Sequence, residues 1–142
     1  MKNLRIAFFG GTFVHQNIKE KCKKLGAKCY LLDNNSKCFA HKDENFFNIN
    51  FNDIKKTYKF IKKNKINFLY ISQSDVGIVA IAKLNKLLNL PGIDLSVAKR
   101  LTNKYLIRKV LKKNGFFQPK FFYAKKNSLL KKNIKENNFL IK

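Results

Sequence analysis

The chain has 142 residues, 45% of them hydrophobic, and its 31 Lys and Arg against 8 Asp and Glu give a formal net charge of +23. This length supplies one compact domain, or one domain and the beginning of a second, and the hydrophobic content argues against intrinsic disorder. No apolar run approaches the ~20 residues that a membrane-spanning helix needs, and the run before Gly10 is too short for a signal peptide, so we expect a cytoplasmic protein without membrane contact.

Alternating apolar runs and helical patterns fill the chain up to Pro91. A continuous apolar run predicts a first strand from Leu4 to Phe9, which ends at the turn Gly10-Gly11-Thr12. The apolar spacing of Ile18, Cys22 and Leu25 predicts a helix, and Gly26 suits its C-terminus. A second strand follows from Cys29 to Leu32, and the turn cluster Asp33-Asn34-Asn35 closes it.

The same alternation continues towards the middle of the chain. Phe46 to Phe51 predicts a third strand, and Asp53 is placed to cap a helix whose buried face holds Ile54, Thr57, Tyr58 and Ile61. Phe68 to Ile71 predicts a fourth strand, and an apolar helix follows from Val76 to about Leu88. Strands that alternate with helices predict an α/β fold with a doubly wound, Rossmann-like parallel sheet.

The pattern changes after Pro91-Gly92. Ser96 to Leu101 predicts a short helix, and Thr102 is a candidate N-cap for a longer one, in which Leu106, Ile107, Val110 and Leu111 face inward. Lys120 to Tyr123 is predicted to be extended, and Phe139 to Lys142 to begin a new strand. We expect residues 1–92 to form one domain and 93–142 the incomplete beginning of another, so the natural protein is expected to be longer.

The three cysteines and the positive charge give no specific site. Cys22, Cys29 and Cys38 form no C-x-x-C pair, and neither His15 nor His41 completes a zinc pattern, so we predict reduced thiols and no metal ligands. A positive field attracts polyanions in general, but readout of bases relies on arginine, which is scarce here. We therefore interpret the charge as a solvated lysine surface and expect no specific nucleic-acid partner.

Four segments, taken in order, resemble the ATP-grasp superfamily of ligases. They are the first strand with Gly10-Gly11; the segment Ser74-Asp75-Val76-Gly77; the run from Leu90-Pro91-Gly92 through Thr102-Asn103-Lys104 to Pro119-Lys120; and the terminal Phe139-Leu140-Ile141-Lys142. Their order is similar to the pre-ATP-grasp domain and the start of the first ATP-binding subdomain in ligases of the carbamoyl-phosphate-synthase and biotin-carboxylase kinds.

The resemblance implies an enzyme that phosphorylates a small-molecule carboxylate with ATP and then joins it to an amine or another nucleophile. Two lysines of such proteins contact the ATP phosphates, and by position they match Lys104 and Lys142. An ammonium group offers three donors to phosphate oxygens, and Lys104 near a helix N-terminus would act beside backbone N–H groups. Family ligands for Mg²⁺ lie downstream and have no match here, so we expect this chain alone to be inactive.

The carboxyl ends of the predicted strands supply the candidate substrate-binding residues. Gly10 and Gly11 either form a tight turn or let a carboxylate substrate approach the backbone, and both interpretations stay open. For Ser74 and Asp75 the interpretation as helix caps is favoured over substrate contact, and for Asp33 closure of a turn is favoured. No catalytic residue is assigned within the chain.

Two other functions compete with the ligase. A dinucleotide-binding domain of an oxidoreductase or epimerase would use the glycine turn and Asp33, although the segment from Gly10 to His15 is not G-x-G-x-x-G. A basic module that binds nucleic acid is suggested by the charge alone, with no accompanying motif.

Overall fold

The computed structural model describes residues 3–121, which fall into two compact units that divide after Thr102. The elements of the first unit are β1 Arg5–Phe9, α1 Phe13–Lys24, β2 Lys28–Asp33, β3 Phe46–Asn48, α2 Ile54–Lys63, β4 Phe68–Ile71, α3 Asp75–Leu88 and α4 Leu95–Leu101. The described part of the second unit contains α5, Lys104–Lys113. Among residues 3–121, no helix is long and apolar enough to cross a membrane.

The four strands form one parallel sheet in the order β3-β2-β1-β4. This confirms the predicted α/β class with a parallel sheet. β1 has a neighbouring strand on each side, and helices cover both faces of the sheet. Four of its five side chains are therefore buried and apolar.

Alternate side chains of the strands enter two different cores. Ala7 and Phe9 of β1 pack with Ile61 of α2 and Leu84 of α3 on one face of the sheet. Ile6, Phe8 and Leu31 pack on the other face, where partly buried Ile18 and Cys22 of α1 cover them. Burial of each large side chain contributes roughly 1.5–3 kcal/mol, so this double-sided core is the main source of stability.

Side-chain caps set where the helices begin. Asp53 accepts a hydrogen bond from Lys56 N at 3.0 Å, which confirms its predicted role at α2. Thr102 does not cap α5: it is the C-cap of α4, and its hydroxyl donates to Ala98 O at 3.1 Å. Asn103 caps α5 instead, because its amide oxygen accepts from two backbone N–H groups, those of Tyr105 and Leu106.

Two predicted features differ from the structure. β3 ends at Asn48, because Asn50 forms a turn in which its side chain accepts from Asn52 N at 3.0 Å. In α5, Leu106 and Val110 are 38% and 41% exposed, whereas Ile107 and Leu111 are half-buried, so the described residues do not bury the whole predicted face. Periodicity identifies which residues share a face but not what covers that face.

The predicted domain boundary at 92/93 stays a prediction. α4 packs against α3 and belongs with the first unit, whereas the sequence groups residues 93–101 with the following segment. The predicted strand from Phe139 to Lys142 and residues 122–123 of the predicted extended segment lie outside the described residues.

Candidate functional site

The order of the strands places a topological switch point at the carboxyl edge of the sheet, between β1 and β4, where folds of this kind have a crevice. The chain leaves β1 towards α1 on one face, and it leaves β4 towards α3 on the other. Small ligands of open α/β sheets bind at such a switch point, outside the carboxyl ends of the strands. The turn at Gly10 and Gly11 and the segment from Ser72 to Asp75 therefore line the candidate site.

Both glycines are required by contacts within the protein itself. Gly10 has φ +124°, and a Cβ there would lie 2.7 Å from Cε1 of His15. A Cβ on Gly11 would lie 2.3 Å from Sγ of Cys38. These contacts account for a tight turn, whereas the approach of a substrate to the same backbone stays a prediction.

The carboxylate of Asp33 is occupied by backbone donors. Its Oδ2 accepts from Gly11 N at 2.7 Å, and its Oδ1 accepts from Asn35 N at 2.9 Å. The second bond closes the turn after β2, as the favoured interpretation expects, and the first joins that turn to the end of β1. A direct contact of Asp33 with a substrate stays a prediction.

Ser74 and Asp75 begin α3 at the end of β4. Ser74 is the N-cap, and its Oγ accepts from Gly77 N at 3.1 Å. Asp75 is exposed in the first turn, where a negative side chain is favourable beside the helix N-terminus. This geometry accounts for both residues as elements of the helix start, and substrate contact by either is untested.

A groove of about 500 Å³ lies next to the start of α3. Its walls include the apolar side chains of Ile54, Val76 and Val79, and its polar lining includes Asn52 and Asp75. The groove is half open and mainly apolar, so it offers surface contact rather than a set of converging polar groups.

His15 is a member of the site that the sequence analysis missed. It is 2% exposed, its Nδ1 lies 2.7 Å from Thr12 Oγ1, and its Nε2 lies 3.3 Å from Ser72 Oγ and 3.4 Å from Ser72 N. Burial lowers the pKa of this imidazole below its usual 6.5, and the nearby charge of Asp33 opposes that shift in part. A usable signal existed, because His15 precedes Ile18 and Cys22 at helical spacing on the apolar face.

Lys19 of α1 is an exception to the predicted solvated lysine surface, and sequence reasoning does not identify it. Its side chain is 1% exposed, and its Nζ lies 2.5 Å from Asp43 Oδ2 and 3.3 Å from Glu20 Oε1. Asp43 also accepts from Asn45 N at 2.8 Å. The pair therefore fastens the connection between β2 and β3 to α1, away from the carboxyl ends of β1 and β4.

Of the two predicted phosphate-binding lysines, Lys104 lies within the described residues and Lys142 does not. Lys104 is exposed at the first position of α5, directly after the N-cap Asn103, and belongs to the second unit. Lys142 lies outside the described residues. Their convergence on one triphosphate stays a prediction.

Magnesium has no matching ligand set in the described part of the chain. Among residues 3–121, no group of three or more His, Cys, Asp and Glu side chains is placed to hold a metal ion. Asp33 and Asp43 already accept hydrogen bonds from protein donors. The described residues therefore do not fit a magnesium site.

Solved structures of ligases share this fold. Phosphoribosylglycinamide synthetase from Anaerococcus prevotii matches 80% of the chain at 20% identity with a TM-score of 0.65. N5-carboxyaminoimidazole ribonucleotide synthetase from Thermotoga maritima matches 81% at 19% identity with a TM-score of 0.64. L-amino acid ligase from Bacillus licheniformis matches 84% at 19% identity with a TM-score of 0.70.

The likeness confirms the predicted resemblance at the level of the fold. The chain spans 29%, 31% and 32% of their respective lengths. UDP-glucose 4-epimerase from Thermotoga maritima also matches, over 80% of the chain at 10% identity with a TM-score of 0.55. No protein-family model and no curated protein matches the sequence.

Proposed function

We propose that the chain is the amino-terminal part of an ATP-dependent ligase that joins a small carboxylate to an amine, or to another nucleophile, through an acyl phosphate. The observation that carries the proposal is the glycine turn at the switch point of a 3-2-1-4 parallel sheet, in a fold shared with three ligases. The proposal includes a cytoplasmic location and no specific nucleic-acid partner.

Within this proposal the crevice between β1 and β4 receives the substrate. The turn at Gly10 and Gly11 offers backbone close to the ligand, and Ser74 and Asp75 begin α3 on the opposite side. Asp33 acts through Gly11, since its Oδ2 accepts from Gly11 N at 2.7 Å and so fixes the turn.

Lys104 and Lys142 are proposed to bind the phosphates of ATP. A lysine ammonium offsets the charge that develops when a phosphoryl group is transferred. Mg²⁺ would neutralise further charge on the triphosphate, but no step is assigned to it, because the described residues do not fit it. We expect this chain alone to lack ligase activity.

Lys104→Ala in the product of the complete reading frame tests the proposal. Loss of one charge-assisted contact of roughly 1.5–3 kcal/mol should weaken ATP binding about tenfold or more in calorimetric titration. Lys113→Ala is the matched control, because Lys113 is exposed at the other end of α5. Equal ATP affinity in the wild type and both variants would refute the role of Lys104.

A dinucleotide-binding domain is the second candidate, favoured by the likeness to UDP-glucose 4-epimerase. In G-x-G-x-x-G counted from Gly10, the second and third glycines would fall on Thr12 and His15. His15 instead fills that space with a buried ring bonded to Thr12, and Asp33 is held by backbone donors. Saturable NAD binding by this chain would nevertheless favour the second candidate over the ligase.

A further inference from the structure

His15 connects the two sides of the crevice. It lies in the first turn of α1, and its ring packs against Gly10, where a Cβ would come within 2.7–3.3 Å of three ring atoms. The Nε2 atom of the same ring lies within 3.4 Å of both Ser72 N and Ser72 Oγ. One buried side chain thus joins the turn after β1 to the end of β4.

The partners of the ring define its tautomer. Ser72 N is a backbone donor and cannot accept, so Nε2 must carry the lone pair. The proton of a neutral ring then resides on Nδ1, which donates to Thr12 Oγ1 at 2.7 Å. A doubly protonated ring would place N–H against N–H at Ser72, and the bond to the backbone of β4 would be lost.

Few charged groups act on this ring. Asp33 of β2 favours the protonated form, and burial of the ring favours the neutral one and is the larger effect on its pKa. From β4, Tyr70 presents its ring edge-on at 6.2 Å between centroids. On α1, Lys19 is one turn further along and is paired with Asp43.

The contact between His15 and Ser72 also helps to fix the backbone conformation of the next residue, Gln73. Gln73 has φ +61°, a left-handed conformation that non-glycine residues rarely adopt. Ser72 is held by His15 on one side of it, and Ser74 is held by Gly77 on the other. Such a conformation persists when the surrounding contacts fix it, so His15 contributes to the shape of the β4 end.

We propose that neutral His15, in its Nδ1–H tautomer, is a positioning residue that fixes the end of β4 relative to the Gly10 turn by joining that turn to Ser72. The inference rests on the proposed function in one respect, namely that the crevice binds the substrate. The connection that His15 makes between the Gly10 turn and Ser72 is a property of this chain without a ligand. Loss of the Nε2 acceptor, by mutation or by protonation, breaks the hydrogen bond from the backbone N–H of Ser72.

Nitrogen-15 NMR of the imidazole rings in the 142-residue chain tests the tautomer directly. Near pH 7.5 we expect His15 to show a protonated Nδ1 and an unprotonated Nε2, which gives two widely separated ring-nitrogen signals. Proton on Nε2, or averaged signals like those of a solvent-exposed histidine, would overturn the proposal.

Two variants test the connection. The amide oxygen in His15→Gln can reach the position of Nε2 and accept from Ser72, whereas the shorter side chain in His15→Asn can reach only towards Thr12. The readout is whether Ser72→Ala, made in each background, shifts the backbone amide signals of Gly10 and Gly11. We expect such shifts in the wild type and in H15Q, and their loss in H15N.

If Ser72→Ala shifts the backbone amide signals of Gly10 and Gly11 equally in H15N and in the wild type, the proposal is overturned. If H15N fails to fold, the backbone amide signal of Ser72 is followed in the wild type as the pH is lowered: it must shift together with protonation of His15, and an unchanged signal would also overturn the proposal. An intact connection alongside a longer product that does not bind ATP would instead contradict the ligase and leave the role of His15 standing.

Discussion

Asp33 Oδ2 accepts a hydrogen bond from the backbone N–H of Gly11 at 2.7 Å, which joins the end of β2 to the turn after β1. The same carboxylate closes its own turn through Asn35 N at 2.9 Å. One side chain therefore fixes two of the four connections that leave the carboxyl ends of the strands. The geometry of the crevice depends on this carboxylate before any substrate is considered.

Asp33→Asn should destabilise the chain by about 1–3 kcal/mol, because an amide retains only one oxygen acceptor for two backbone donors. The free energy of unfolding from urea denaturation measures the effect. Asp53→Asn is the matched control: within residues 3–121 the Asp53 carboxylate accepts from one donor, Lys56 N, and Asn caps a helix as well as Asp does. Equal losses in the two variants would contradict the double role of Asp33.

Gly11→Ala should destabilise the fold by about 1–3 kcal/mol through overpacking, because the new Cβ would lie 2.3 Å from Cys38 Sγ. Cys38→Ala removes that sulfur and leaves the Cys38 Cβ at 3.1 Å. The double variant should therefore recover part of the loss in thermal denaturation. Additive losses in the double variant would show that the collision with the sulfur is not the cause.

Much of the fold could be predicted because apolar periodicity records which residues face the core. β1, β4 and α3 were placed within one residue at each end, and the Gly26 turn has the predicted positive φ of +84°. Ser74 was favoured as a cap and is one. These features are local, so the sequence around each of them contains the information.

The missed features depend on contacts between distant segments. Lys19 looks like a surface lysine until the loop that carries Asp43 folds over it, 24 residues further along the chain. His15 acquires its partner from Ser72, 57 residues away. Thr102 could cap either neighbouring helix by sequence, and its bond to Ala98 O decides for the preceding one. The pattern of neighbouring residues in the sequence does not show which of these contacts form.

Asp43→Ala should cost about 3–5 kcal/mol of stability, because it leaves the ammonium of Lys19 buried without its main partner. The double variant Lys19→Met and Asp43→Ala should recover much of this loss, since no buried charge then remains. Glu44→Gln tests an exposed pair with Lys23, 71% and 53% exposed, and should change stability by no more than about 0.5–1 kcal/mol. Similar losses for Asp43→Ala and Glu44→Gln would contradict the burial argument.

The Cys29 thiol should resist alkylation in the native protein. Burial raises its pKa to about 11, and the side chain is 4% exposed, so little thiolate is present or accessible at pH 8. Iodoacetamide should label Cys22, which is half-buried, well before Cys29, and all three cysteines should react in urea. Mass spectrometry of the labelled peptides gives the order, and equal native rates at Cys22 and Cys29 would contradict it.

The stability of the chain should fall on acidification below pH 6.5 in a way that depends on His15. The folded state holds the pKa of His15 below the 6.5 of the unfolded state, so the unfolded chain binds the proton first as the pH drops. The stabilising contribution of neutral His15 to the free energy of unfolding is complete above pH 6.5, and it is lost as the pH falls through the lower pKa of His15 in the folded state. Urea denaturation of the wild type and of His15→Gln at several pH values isolates this term, because glutamine does not titrate. His41→Gln serves as the control, since it replaces an exposed histidine in the same way. A parallel decline of the wild type and H15Q below pH 6.5 would assign the acid sensitivity to carboxylates instead of the buried imidazole.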